Sequence, residues 1–144
     1  VSELGWSLDL LPGLPPGVTL RLYRGDQTLF ESGRHWLHPL FDLEEHLART
    51  GLDPAGTRLV DRITGRGAAF LVVRMGIRTL DTRLLSDRAV PVLEAYGVSW
   101  RCAERVERVL CMTEDLLAEV REPGEAWVLL RERRARALGR GRER

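Results

Sequence analysis

Few side chains in this 144-residue sequence are equipped for chemistry, and they fall into three groups. The first is Thr64-Gly65-Arg66-Gly67, which leads into an apolar run ending near Met75. A helix starting there would present unpaired N–H groups and a partial positive charge, both of which attract anions. Gly65 and Gly67 would let a ligand approach the backbone closely, and Arg66 could hold a phosphate or carboxylate through two hydrogen bonds. The competing reading is a tight strand-to-helix turn with Arg66 as a solvated surface charge. Asp61 and Arg62 stand beside this turn at the end of a short strand. Asp61 could fix Arg66, contact a ligand donor or act as a base, or it could be a capping carboxylate or a surface ion pair of little weight.

The second group is Cys111 with Glu114. Thr113 is a fitting N-cap for a short helix, and a thiolate is favoured near a helix N-terminus, where its pKa falls below the free value of about 8.5. A nucleophile at Cys111 is therefore chemically sensible, with Glu114 as acid–base group. Against it, Glu114 and Asp115 would oppose a thiolate, no histidine lies nearby in sequence, and free cysteine is a common core residue. Cys102 reads as a core position in a strand. The third group is the histidines. His35 and His38 have an i, i+3 spacing but no third ligand, Pro39 opens a helix just after them, and His46 falls on a polar helix side. No metal site follows, and no cofactor is expected.

The elements that would position these groups are legible from periodicity. Prolines 12, 15 and 16 with Gly13 and Gly17 make residues 1–17 an irregular arm. Val18, Leu20 and Leu22 alternate as in a strand, Gly25-Asp26 supplies a turn, and residues 27–31 return as a hairpin partner. A helix is expected over 39–50, with Leu40, Leu43 and Leu47 as its stripe and Gly51 past its end. Residues 57–60 read as a short strand and 65–75 as a central helix, buried nearly all round and ended by Gly76. A strand over 77–85 and a helix over 87–96 follow, closed by Gly97. Pro91 must then lie in that helix's first turn or bend it. A strand begins at 98–101, a short helix covers 113–120, and Pro123 opens a last helix. Strands alternating with helices after a hairpin imply a mixed sheet covered by helices.

Composition narrows the class. Apolar residues make up 44% and charged residues 30%, a globular balance. The longest apolar run, at 68–73, is too short to span a bilayer. The opening residues lack the basic and apolar regions of a secretion signal, so a cytoplasmic location and free thiols are expected. The chain has no lysine, and its net charge of +1 argues against a dedicated nucleic-acid binder. Residues 131–144 are the exception, with seven arginines against two glutamates. Such a block can bind nucleic acid or an acidic surface, but it lacks interleaved aromatics and also reads as a fraying, solvated helix end.

From Thr19 to about Leu130 the chain resembles a family of small prokaryotic proteins of unknown function with a cytidine-deaminase-like fold. The match rests on Val60-Asp61-Arg62, Gly65-Arg66 with Ala68-Ala69, Arg83-Leu84-Leu85-Ser86, Leu93-Glu94, Gly97-Val98, Cys111 with Glu114, and Glu122-Pro123-Gly124-Glu125-Ala126. The arm before residue 18 and Pro91 depart from the family pattern. The resemblance implies a three-layer α/β domain over 18–130, a mixed sheet with helices on both faces, followed by an arginine-rich helical end and tail at 131–144. Zinc deaminases need a His or Cys followed closely by Glu at one helix start and Pro-Cys-x-x-Cys at another. Neither is present, and Ser86 stands where the cysteine pair would begin. Zinc-dependent deamination is thereby excluded.

The expectation that follows is a zinc-less deaminase-like domain binding a small anionic, nucleotide-like ligand. Asp61, Arg62, Gly65 and Arg66 would form one wall, with Ser86 and Cys111 or Glu114 opposite. One alternative is a cysteine-dependent enzyme with Cys111 as nucleophile. Another is a nucleic-acid or protein interaction module using the basic tail. Related proteins often bury sheet edges and helix faces in dimers, which points to a homodimer, and without a bilayer-spanning run no membrane partner is expected.

Overall fold

A computed structural model describes residues 14–109 and 116–142, with side chains to residue 136. The first hairpin joins β1 (Leu20–Arg24) to β2 (Gln27–Ser32), and Gly25 supplies the positive φ, 59°, that the two-residue loop demands. Helix α1 (His38–Thr50) follows, with Pro39 in its first turn. Gly51 closes it in the left-handed conformation, its N–H on the Leu47 carbonyl. Then come β3 (Arg58–Thr64), α2 (Arg66–Met75), β4 (Thr79–Ser86), α3 (Val90–Ala95), β5 (Ser99–Val106) and α4 (Pro123–Arg142).

The sheet order is β2-β1-β3-β4-β5, with β1 antiparallel to both neighbours and β3, β4 and β5 parallel. The expected α/β domain with a mixed sheet is therefore present. Register stacks Leu22, Leu59, Leu80 and Trp100 in one row across the sheet, and Leu20, Asp61, Thr82 and Cys102 in the next. All eight are buried. Against them lies α2, whose first seven residues are all buried, as its lack of a polar side requires.

Helix α2 touches α1, α3 and α4. The opposite face carries a charged row. Asp81, fully buried, accepts two hydrogen bonds from Arg101, at 3.0 and 2.8 Å, and lies 3.5 Å from Arg58. Beside them Arg21 reaches Glu31, and Arg58 covers the Tyr23 ring.

Three boundaries differ from the sequence reading. Strand β3 runs on to Thr64 because its parallel pairing with β4 continues through Thr64 and Leu85, which puts Asp61 and Arg62 inside the strand. Helix α3 starts at Val90, because residues 87–89 are held in a turn by Asp87 N–H on the Val106 carbonyl and Ala89 N–H on Ser86. Pro91 consequently sits in the helix's first turn, where its missing N–H costs nothing. Strand β4 starts at Thr79 because the Ile77 N–H turns back to the Val72 carbonyl, ending α2 beyond Gly76, whose φ is 85°.

Residues 1–13 of the expected arm lie outside the described residues. So do residues 113–115 of the helix expected over 113–120; residue 116 is helical, and 117–119 form a turn closed by Val120 N–H on the Leu117 carbonyl. Helix α4 runs unbroken through residues 130 and 131 into the arginine-rich segment. No helix of the described residues is long and apolar enough to cross a membrane.

Candidate functional site

Open α/β sheets bind ligands beyond the carboxyl ends of their parallel strands, and this sheet has a cavity of about 460 Å³ there. Ile63, Leu84 and Val106 line it from the ends of β3, β4 and β5, and Gly65, Gly67 and Ala68 from the head of α2. Trp36 and Leu37 close it from the loop before α1, and Arg108 and Val109 from the chain after β5. Most of this lining is apolar. No side chain caps the first turn of α2, whose cap residue is Gly65, so that turn's N–H groups and the positive end of the helix dipole face the cavity's edge. Gly65 has φ of −97°, which any residue can adopt. A methyl at Gly67 would touch the side chains of Leu37 and Leu130, at 3.4 Å, and of Leu117, at 3.5 Å.

Trp36 has a φ of 59°, the only left-handed non-glycine residue among those described. For an aromatic residue this conformation costs on the order of 1–3 kcal/mol and persists only where the surroundings impose it. Here the Trp36 ring meets His38 edge-on at 5.2 Å and stays 37% exposed. Ile63 is 50% exposed beside it. Two large apolar groups thus stand open to solvent at the mouth of a cavity.

A second, smaller cavity of about 100 Å³ adjoins the first, and Trp36 and Ile63 line both. Its wall mixes polar and apolar groups: Thr19 from just before β1, Arg34 and His35 from the loop, and Asp61 and Arg62 from β3, beside Trp36, Pro39 and Ile63. Asp61 sits at its base. Its Oδ1 accepts the Arg62 N–H at 2.8 Å, and its Oδ2 accepts the Thr64 hydroxyl at 3.2 Å. The Thr64 hydroxyl in turn lies 2.9 Å from that of Thr82. Burial pushes the Asp61 carboxyl up to about 7, against the opposing pull of these hydrogen bonds and of the Ile63 N–H. A carboxyl so placed holds or gives a proton near neutrality.

The sequence-derived candidates divide accordingly. Gly65 lines the large cavity, and Asp61 and Arg62 line the small one. Arg66 and Ser86 line neither. Arg66 is buried, and its guanidinium donates to three backbone carbonyls: Nε to Leu117 at 2.9 Å, Nη1 to Arg88 at 3.0 Å and Nη2 to Val120 at 2.6 Å. It also packs over the Phe70 ring. The side chain ties the head of α2 to the turn after β4 and to the segment before α4. Ser86 serves the same turn, its hydroxyl oxygen accepting the Arg88 N–H at 3.1 Å.

Cys111 and Glu114 lie outside the described residues. Cys102 is a buried free thiol. No group of three His, Cys, Asp or Glu side chains that could hold a metal is found among the described residues. Sequence reasoning missed Trp36, Ile63, Leu84, Val106 and Arg108. The one available signal was Ile63, an apolar residue among polar neighbours at the end of a strand.

The family model "Domain of unknown function (DUF1893)" matches residues 17–133. The chain belongs to the DUF1893 family, and the resemblance read from its motifs is borne out. The crystal structure of a DUF1893 family protein from Thermotoga maritima is similar with a TM-score of 0.72 and 24% identity, covering 81% of this chain and 80% of that one. That likeness shows a shared fold. The apo crystal structure of dCMP deaminase from the cyanophage S-TIM5 is similar with a TM-score of 0.49 and 17% identity, covering 59% of this chain and 79% of that one. No curated protein matches the chain in sequence.

Proposed function

We propose that this DUF1893 domain is a binding module for a small anionic, nucleotide-like ligand, held in the cavity at the head of α2. The observation that carries the reading is the cavity itself. At about 460 Å³ it is within the range of roughly 300–1,000 Å³ typical of small-molecule sites. A planar ring fits between Trp36, Ile63, Leu84 and Val106, where stacking and apolar contact supply affinity. Polar acceptors at the ring's edge or on its substituent meet the N–H groups of α2's first turn, and the helix dipole and Arg108 make that end attractive to negative charge. Arg66 supports the site from behind by fixing where α2 begins.

The test is thermal unfolding of the full chain against a panel of nucleosides and nucleoside monophosphates. A ligand that binds the native state alone raises Tm, by an amount equivalent to about 2.7 kcal/mol at a hundredfold excess over Kd. Val106→Trp, which fills the cavity from its half-buried rim, should abolish the rise while leaving the unliganded protein folded. No shift with any member of the panel, or a shift that survives Val106→Trp, removes the reading.

A further inference from the structure

The two cavities share a wall, and their linings differ: the larger is mostly apolar, and the smaller mixes polar and apolar groups. The smaller presents Arg34, His35, Arg62, Asp61 and Thr19 around a space of about 100 Å³. That is about three water volumes, on the scale of one phosphoryl group. We propose that the small cavity is an oxyanion subsite of the same site, taking the phosphate of a phosphorylated ring compound whose ring lies in the large cavity, with Trp36 and Ile63 as the partition. This assignment rests on the binding reading above and adds to it where the charge goes and which chemical class is preferred.

Three observations favour phosphate in that compartment. Arg62 is exposed, and neither it nor His35 makes a side-chain hydrogen bond or ion pair among the described residues, so both can turn to an incoming anion. Arg34 is already paired with Asp42 through Nη1, at 3.0 and 2.9 Å, which steadies it at the rim. The one acidic group facing the space is Asp61, and its burial favours the protonated form up to near neutrality, so it offers an O–H donor instead of a repelling charge. Thr64 and Thr82 behind it are neutral, as is Thr19 opposite. A carboxylate-bearing ligand would use the same donors, but a tetrahedral phosphate can meet Arg62, His35 and Asp61 from different oxygens.

The experiment is an amide chemical-shift titration of the full chain with inorganic phosphate, with cytidine and adenosine, and with their 5′-monophosphates. The monophosphates should bind at least about tenfold more tightly than the nucleosides. The double variant Arg62→Ala/His35→Ala, on exposed side chains, should erase that advantage and leave nucleoside affinity unchanged. Inorganic phosphate should move the amides of His35, Arg62 and Ile63. Equal affinity for nucleoside and monophosphate, or an advantage that survives the double variant, overturns the assignment. Failure of the underlying reading is separately visible as the absence of any nucleoside effect at Ile63, Gly65 and Leu84. In that event inorganic phosphate alone decides the subsite: Arg62-dependent shifts sustain it, and their absence overturns it.

Discussion

Replacing Asp61 by asparagine should change how the stability of this fold depends on pH. In the unfolded chain an aspartate carboxyl titrates near 3.9, whereas in the native protein burial raises Asp61 to about 7. Between those values the native state keeps a proton that the unfolded state has lost. Stability from this residue is therefore fully present below about pH 4 and declines as pH rises through the window, by about 1.4 kcal/mol per pH unit. Over the whole window the loss is as much as roughly 4 kcal/mol, a large part of the ~5–15 kcal/mol that holds a domain together. Above about pH 7 both states are ionised at this position and the slope vanishes. Asparagine keeps an oxygen to accept the Arg62 N–H and carries no charge to desolvate. Urea unfolding of both proteins from pH 5 to 9 tests this, since the other titrating groups are shared and cancel in the difference. The gap should widen in favour of Asp61→Asn between pH 5 and 7 and level off by pH 8. A gap constant across pH 5–8, or a wild-type protein that gains on the variant as pH rises, would refute the raised carboxyl and with it the neutral donor in the small cavity.

Two further substitutions test how the head of α2 is held. Arg66→Ala should destabilise the domain by about 3 kcal/mol or more, because three carbonyls lose a charged donor at once. Arg66→Lys should recover little of this, since a compact ammonium cannot bridge three carbonyls that the planar fork reaches. Denaturant midpoints report both, and an Arg66→Ala protein of wild-type stability would sink the clamp and restore Arg66 as a candidate ligand contact. Gly67→Ala would ordinarily gain about 1 kcal/mol in helix propensity, but here the added methyl meets Leu37 and Leu130 at 3.4 Å. Its Tm should accordingly not rise, and a clear rise would mean that the seam between α2 and α4 yields easily.

Much of the scaffold was legible because local chemistry and tertiary need coincide in it. An apolar run without a polar side, as at 66–75, can only be central, and α2 is. Glycines placed just past the apolar stripes, at 51, 76 and 97, all take the left-handed conformation that ends a helix. Where the reading of β3 stopped short, the reason was Asp61 and Arg62. Charged residues argue against a buried parallel strand, and the Arg62 and Ile63 amides, the Thr64 hydroxyl and the small cavity make the carboxyl tolerable there.

The site was less legible, and Arg66 shows why. An arginine at the start of a buried helix, flanked by glycines, has one local signature and two outcomes. It can face outward to an anion, or inward to carbonyls. What decides is where the carbonyls of Arg88, Leu117 and Val120 lie, and these come from positions 22, 51 and 54 residues away in sequence. No spacing rule reaches that far. The same geometry explains which basic groups are left beside the cavities. With Arg66 turned inward, the basic side chains lining the cavities come from loops and the end of β3: Arg34, His35, Arg62 and Arg108. The apolar contact comes from Trp36, whose backbone strain is invisible in sequence. A buried arginine that fixes the helix start and a strained tryptophan that holds the partition open are complementary parts of one arrangement. The first fixes where α2 begins, and the second lines the space before it.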